Sequence, residues 1–361
     1  MIKLLLLLLL CDNSLGFIPK LSHIKLYKYP TISYVEKYST ISYLQKYPVE
    51  RNTTIVKNTI KNSNFIEYEQ KFQISKNDII KYKSTLVFLA FLWGTNFSAV
   101  KYLDTSGINV SIINTIRFFL ASLSLSPFLI GISKEIILAG IDVGFWVALA
   151  YICQAFGLET IDSNISAFIC SLSVVIVPLI NGIKGKEISQ KIWISCILAI
   201  IGVALITLPG TNNFCSGYLW SLGQPIGFGI AFIKIEHYMN KYKGKSLPLA
   251  AMQMLIVFIS NLFLTLITIK EIPDLSTLTE PFHLLTLLYT GIITSALAIV
   301  LESIILSYIS AEETSIILST EPLWALITST ILLHETIKPI GILGSIIILL
   351  ACYLTQVNNK N

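Results

Sequence analysis

Three ionisable side chains stand inside long apolar stretches of this chain: Arg117, Glu302 and Glu321. A charge at the centre of a bilayer costs at least about 2.5 kcal/mol, so each residue is a candidate for function. Arg117 could recognise an anion through its planar guanidinium group, or it could reach the membrane surface or pair with Glu302. Glu321 precedes Pro322, which has no backbone N–H to donate. It could carry a coupling proton, or it could only hydrogen-bond a neighbouring helix.

Two lysines, Lys101 and Lys234, occupy matching places near the ends of two apolar stretches. If both faced one cavity, they would attract a carboxylate or a phosphate. Lysines near helix ends also extend towards lipid headgroups, and this alternative stays open.

Uncharged polar residues within the apolar stretches form a second set of candidates. Such side chains could hydrogen-bond a substrate, or they could join helices at about 0.6–2 kcal/mol each. Trp93 could line a cavity or lie in an interfacial belt. The candidate substrate pathway therefore comprises Trp93, Asn96, Lys101, Arg117, Gln154, Gln224, Lys234, Glu302 and Glu321.

Catalytic and metal-binding motifs do not stand out in the sequence. Neither a GxSxG nor an HExxH pattern occurs, and the six cysteines lack metal-ligand spacing. Gly244-Lys-Ser246 resembles the end of a phosphate-binding loop, but Met239 stands where the first glycine should be. We therefore expect no enzyme activity, no cofactor, no bound metal and no ATP-driven pumping.

The composition indicates a membrane protein. The chain is 54% hydrophobic and 13% charged, with a mean hydropathy of +0.72, whereas soluble proteins carry roughly 25% charged residues. Continuous apolar runs without strand-like alternation favour helices over a barrel. Ten runs have roughly the 17–25 residues that a spanning helix needs. They are 85–102, 110–131, 140–158, 163–183, 191–208, 217–234, 247–269, 284–308, 314–333 and 338–357.

The chain also resembles itself at an offset of 148 residues. Ser171 matches Ser319, and Glu187 matches Glu335. Each half then contains five runs, and an odd number turns the second half upside down relative to the first. The sequence predicts two inverted five-helix repeats, at 84–208 and 215–357.

The N-terminal part differs in character. Residues 1–16 have the charged start and short apolar run of a signal peptide. Residues 17–83 are polar and basic, so we expect a disordered, transit-peptide-like segment. The two together favour a membrane of a complex plastid of the apicoplast type. An ordinary secretory signal, with an endomembrane or plasma-membrane location, is the alternative.

Several motifs resemble one known family. They are Trp93-Gly-Thr-Asn-Phe-Ser-Ala-Val-Lys101, Arg117-Phe-Phe-Leu-Ala121, Gln154-Ala-Phe-Gly-Leu158, Gln224-Pro-Ile-Gly-Phe-Gly229 and Ser319-Thr-Glu-Pro-Leu323. The family is the EamA type of the drug/metabolite transporter superfamily, and the resemblance covers about residues 84–357. The segment starting at Gln224 is similar to algal and plant plastid members. His334 departs from the pattern, since the family usually has glycine there.

The resemblance implies ten helices in two inverted halves around a central cavity, and transport of metabolites by alternating access. We therefore expect an all-α, polytopic membrane protein that acts as a secondary transporter. Its partners would be a small-molecule substrate and the lipid bilayer, with a homodimer as one option and no nucleic acid. An exchanger of phosphorylated sugars, similar to plastid phosphate translocators, is an alternative, although residues 314–333 contain no Lys or Arg. A non-transporting structural or receptor-like protein is another.

Overall fold

The computed structural model describes residues 76–207, 215–269, 276–332 and 339–356. Within these ranges the chain is all-helical and contains no strand. The predicted signal peptide, most of the predicted transit segment and the loop with His334 and Glu335 lie outside them.

Six α-helices cover the first half. They are α1 Lys76–Thr105, α2 Val110–Leu125, α3 Lys134–Leu158, α4 Ser163–Ser171, α5 Ser173–Ile183 and α6 Gln190–Thr207, with a 3₁₀ turn at Ser126–Leu129 after α2. Helix α1 begins at Lys76, so residues 76–83 are helical rather than part of a disordered segment. This boundary was wrong because Lys and Asn in the first turn of the helix resemble the polar composition that precedes it.

The second half contains α7 Ser216–Ser221, α8 Gly223–Lys241, α9 Ser246–Thr268, α10 Pro281–Leu288, α11 Ala298–Ile305, α12 Ala311–Leu318, α13 Glu321–Leu332 and α14 Pro339–Gln356. A 3₁₀ turn covers Ser276–Thr279, and a π-helical segment, Tyr289–Leu297, joins α10 to α11.

Seven helical stretches in the described ranges are long and apolar enough to cross a membrane. They are Asn77–Thr105, Val110–Leu129, Lys134–Leu158, Ser163–Ile183, Ser246–Thr268, Pro281–Ile305 and Ala311–Leu332. The remaining three predicted runs correspond to α6, to α7 with α8, and to α14, which are not among the seven. Helix α8 is less apolar because it contains Lys234, Glu236 and Lys241.

Two of the candidate spans are interrupted. The first breaks at Leu172, between α4 and α5, and the second breaks at Ser319 and Thr320, between α12 and α13. The hydroxyl of Ser171 donates to the carbonyl of Phe168 at 2.7 Å, and the hydroxyl of Ser319 donates to the carbonyl of Ile316 at 2.6 Å. The two serines thus make the same bond to the third residue before them, where side-chain bonding competes with helix continuation.

Close helix contacts occur at glycines. A Cβ atom at Gly94 would lie 2.5 Å from Trp324 Cβ and 2.9 Å from the backbone nitrogen of Ala325, so α1 approaches α13 through that glycine. Gly140 and Gly144 bring α3 against α9 in the same way. Small residues are the usual means of close packing between membrane helices.

Candidate functional site

A small enclosed cavity lies among α1, α3, α4, α5, α8 and α13. The volume that the centre of a water molecule can occupy is about 20 Å³, which is room for one or two waters. The cavity is therefore closed to a metabolite in this conformation. We call it the central cavity; its lining residues are Trp93, Asn96, Phe97, Tyr151, Gln154, Cys170, Ser173, Phe228, Phe232 and Glu321. Four of the predicted pathway residues thus lie together here: Trp93, Asn96, Gln154 and Glu321.

Hydrogen bonds hold the α1 side of the cavity to the π-helical segment. The indole N–H of Trp93 donates to the carbonyl of Thr294 at 3.1 Å, and the hydroxyl of Thr294 donates to Asn96 Oδ1 at 2.8 Å. Trp93 is buried in the protein, so its place is the cavity wall and not an interfacial belt.

A second chain of hydrogen bonds holds the α3 side. Gln154 Nε2 donates to Gln224 Oε1 at 3.3 Å, and Gln224 Nε2 donates to the hydroxyl of Ser166 at 3.0 Å. Gln224 does not line the cavity. It joins α3, α8 and α4, and it orients the amide of Gln154.

Glu321 is the first residue of α13, directly after the break at Ser319 and Thr320. Its side chain lines the central cavity and is only 5% exposed. Among the described residues, no group donates a hydrogen bond to its carboxyl oxygens. The alternative that Glu321 bonds a neighbouring helix is therefore not realised within the described ranges, and the carboxyl group is left for whatever enters the cavity.

Arg117 is fully buried, with 0% exposure, but does not line the cavity. Its Nη2 donates to the hydroxyl of Ser295 at 3.4 Å, and its guanidinium carbon lies 4.5 Å and 5.1 Å from the ring centroids of Phe118 and Tyr151. Arg117 neither reaches a membrane surface nor forms an ion pair with Glu302 in the described part of the chain. Aromatic rings from α2 and α3 enclose the guanidinium group, so it contacts these rings and not a membrane surface or Glu302.

Glu302, on α11, is 2% exposed and also lies outside the cavity lining. Its Oε2 has no hydrogen-bond partner among the described residues. Of these two buried acids, Glu321 lines the central cavity and Glu302 does not.

Lys101 and Lys234 do not face a common cavity. Lys101 Nζ donates to the carbonyl of Leu158 and lies 3.7 Å from Asp104, whereas Lys234 Nζ lies 2.7 Å from Asp142. Asp142 and Leu158 are both on α3, about 24 Å apart along a helix that rises 1.5 Å per residue. The alternative in which both lysines face one cavity is therefore not seen, because their partners lie at opposite ends of α3.

A wider opening, which we call the vestibule, lies at the Lys234 end of α3. Its volume is about 520 Å³, and its lining is Asn181, Lys184, Lys186, Ile233, Lys234, Glu236, His237, Tyr238 and Asn240. Ile233 lines the vestibule and the preceding residue, Phe232, lines the central cavity, so both spaces border α8.

One buried acid ties the helices beside the vestibule together. Glu312, on α12, is 2% exposed, lies 2.8 Å from Lys186 and accepts a hydrogen bond from Asn181 at 2.6 Å. Glu236 Oε2, on α8, accepts from the backbone N–H of Ala311 at 3.0 Å. Sequence reasoning missed Glu312, although its place in the first turn after Ser310 marks a helix start.

Sequence reasoning also missed most of the cavity lining. Phe97, Tyr151, Cys170, Phe228 and Phe232 are apolar or aromatic residues in apolar runs, and such residues give no signal of their own. Their role depends on which face of each helix turns inwards.

Two parts of the chain match the model of one known protein family. The model of the EamA-like transporter family matches residues 82–208 and again residues 215–357, most of the chain. The chain belongs to the EamA-like transporter family. This EamA protein is a multi-pass membrane transporter of the drug/metabolite type.

One relative and one solved structure extend the comparison. An uncharacterized transporter of Archaeoglobus fulgidus is 28% identical over 271 residues, covering 75% of the EamA chain and 84% of the relative. The crystal structure of another protein has a TM-score of 0.60 and 10% identity, covering 76% of this chain and 97% of that one. At that identity the likeness shows the fold alone.

Proposed function

We propose that this protein is a secondary transporter that moves a small metabolite through the central cavity by alternating access. The observation that carries the proposal is an enclosed cavity with a carboxyl group, Glu321, that no described residue hydrogen-bonds. A buried polar group without a partner costs free energy, so its retention indicates a ligand that completes it. We include Trp93, Asn96, Gln154 and Glu321 in the pathway.

The proposal includes two inverted repeats of five spans each. The family model matches the chain twice, and the breaks at Ser171 and Ser319 are 148 residues apart, at the offset of the sequence repeat. Helix packing supports the same symmetry. The contact between α1 and α13 has its repeat equivalent in the contact between α8 and α5. The contact between α3 and α9 likewise has its equivalent in the contact between the π-helical segment and α2. Helices α2 and α9 are equivalent in the repeat and pack on each other, and the same holds for α6 and α14. Exchanging the two halves therefore leaves these two contacts unchanged.

Broken helices on either side of the cavity support alternating access. Cys170 and Ser173 flank the first break, and Glu321 follows the second, so both breaks border the cavity. Interrupted helices at a binding site are a recurring feature of transporters built from inverted repeats.

The test uses Cys170, a native thiol of the cavity wall. A variant keeping only this cysteine is reconstituted in proteoliposomes and treated with an impermeant thiol reagent from either side. Alternating access predicts slow labelling from each side and a change in both rates when a transported solute is added. Cys170→Ala is the control for labelling elsewhere. Unlabelled Cys170 under every condition, together with no solute movement, would refute the proposal.

We also propose a plastid membrane as the location. The support is the basic, polar composition of residues 17–83 after a signal-peptide-like start. Residues 1–83 fused to a fluorescent reporter should direct it to a plastid. Reporter found only in the secreted medium or at the plasma membrane contradicts this location.

A further inference from the structure

We propose that the central cavity accepts an organic cation, namely a protonated or quaternary amine on an apolar body. The inference rests on the proposed transport function and names the substrate class of the same cavity. It is carried by the combination of one unpartnered carboxyl group with a wall of aromatic rings.

Half of the residues that line the cavity are aromatic. They are Trp93, Phe97, Tyr151, Phe228 and Phe232, and the Tyr151 and Phe228 rings meet edge to face with centroids 5.0 Å apart. The face of an aromatic ring carries partial negative charge, so it attracts a cation and also packs well against an apolar body. The N–H of Trp93 is already bonded to Thr294, so this indole offers a substrate its ring and not its donor.

One side chain favours a positive ligand because it alone, among the described lining residues, is acidic or basic. It is Glu321. Lys101 and Lys234 are held at opposite ends of α3, each beside its own carboxylate. Arg117 lies on the ring of Tyr151 and bonds Ser295, outside the lining. An anion entering the cavity would therefore meet ring faces that repel it, and the ionised form of Glu321 would repel it as well.

The amide side chains that line the cavity with Glu321 already form some hydrogen bonds within the protein. Asn96 Oδ1 accepts from Thr294, and Gln154 Nε2 donates to Gln224. A neutral ligand could bond the remaining amide atoms, but it would offer no counter-charge to the ionised form of Glu321. A cation provides that counter-charge, and burial of both partners strengthens the attraction between them.

The experiment compares three probes that share a phenyl ring: benzyltrimethylammonium as the cation, benzyl alcohol as the neutral compound and phenylacetate as the anion. Binding is measured on the full chain in detergent as ligand-dependent thermal stabilisation, up to about 10 mM probe. Transport of the same probes is measured in proteoliposomes. We expect the cation to bind most tightly and to exchange across the membrane.

Matched variants assign the effect to the cavity. Glu321→Gln should weaken cation binding by at least about tenfold, because the charged partner is lost. Glu302→Gln, which changes an equally buried carboxyl group outside the cavity, should change the affinity by less than about twofold. Trp93→Leu should weaken binding by about fivefold, and Trp93→Phe should restore most of it, since only the latter keeps a ring.

The outcomes separate this inference from the transport proposal. Tighter binding of phenylacetate, no binding of the cation, or equal cation affinity in Glu321→Gln overturns the substrate class. If phenylacetate or benzyl alcohol then crosses the membrane and changes Cys170 labelling, the proposal of transport through the cavity stands although the substrate class is wrong. If no probe binds or crosses and Cys170 stays unlabelled, both proposals fail.

Discussion

Glu321 combines a cost to the fold with the role that we propose for it in transport. Its side chain is 5% exposed, and the described residues supply no hydrogen bond to its carboxyl oxygens. The start of α13 offsets part of this cost, because a negative charge is favoured near a helix N-terminus. A proton or a cationic substrate would complete the site, and since both occupy one carboxyl group, they would exclude each other.

This exclusion leads to a prediction at the residue scale. In Glu321→Gln, accumulation driven by a pH gradient should fall to background, because the amide has nearly the shape of the acid but cannot titrate. The measurement is solute accumulation in proteoliposomes with and without an imposed pH gradient. Glu302→Gln is the matched variant. Wild-type accumulation in Glu321→Gln, with loss in Glu302→Gln, would move the coupling role to Glu302.

At the scale of elements, the contact between α1 and α13 sets the shape of the cavity. The two helices approach at Gly94, where an added Cβ would also lie 2.9 Å from the carbonyl oxygen of Glu321. Both Trp93 and Glu321 line the cavity, so the spacing of these helices determines the distance between ring and carboxyl group.

The element-scale prediction is that Gly94→Ala lowers the free energy of unfolding by about 1–3 kcal/mol, because the methyl group meets backbone atoms that cannot move aside. The measurement is thermal unfolding in detergent, together with transport. Gly182→Ala is the control, since its nearest neighbour is Ile188 Cγ1 at 4.0 Å. Equal stability of the two variants would show that the α1 and α13 contact is not close in the working protein.

At the scale of the whole molecule, the proposed inverted halves explain why matching residues lie far apart. Lys101 and Lys234 are equivalent in the sequence but lie at opposite ends of α3. The vestibule lies at the Lys234 end of α3, where Lys234 pairs with Asp142.

The corresponding prediction concerns membrane sidedness. Single cysteines at Lys186 and at the repeat-equivalent His334 should react with an impermeant reagent from opposite faces, because five spans separate equivalent loops. A cysteine at Lys243 should react from the same face as Lys186 and serves as the control. Labelling of Lys186 and His334 positions from one face would refute an odd number of spans in each half.

The sequence alone determined the helical class, the membrane character and the family motifs. Apolar length and charge depletion depend only on composition along the chain, so they could be read without coordinates. The matching serines, Ser171 and Ser319, also pointed to equivalent local structure. The serine bond to the third preceding carbonyl is local, which is why a sequence match was enough.

The tertiary structure alone decided what surrounds each candidate. It placed Glu321 in a cavity with Phe97 and Phe232, enclosed Arg117 between rings without Glu302, and separated Lys101 from Lys234. Almost every face of these helices is apolar, since some faces meet lipid and others meet protein. Hydrophobicity therefore does not reveal which face turns inwards, and only the packing of one helix against another does.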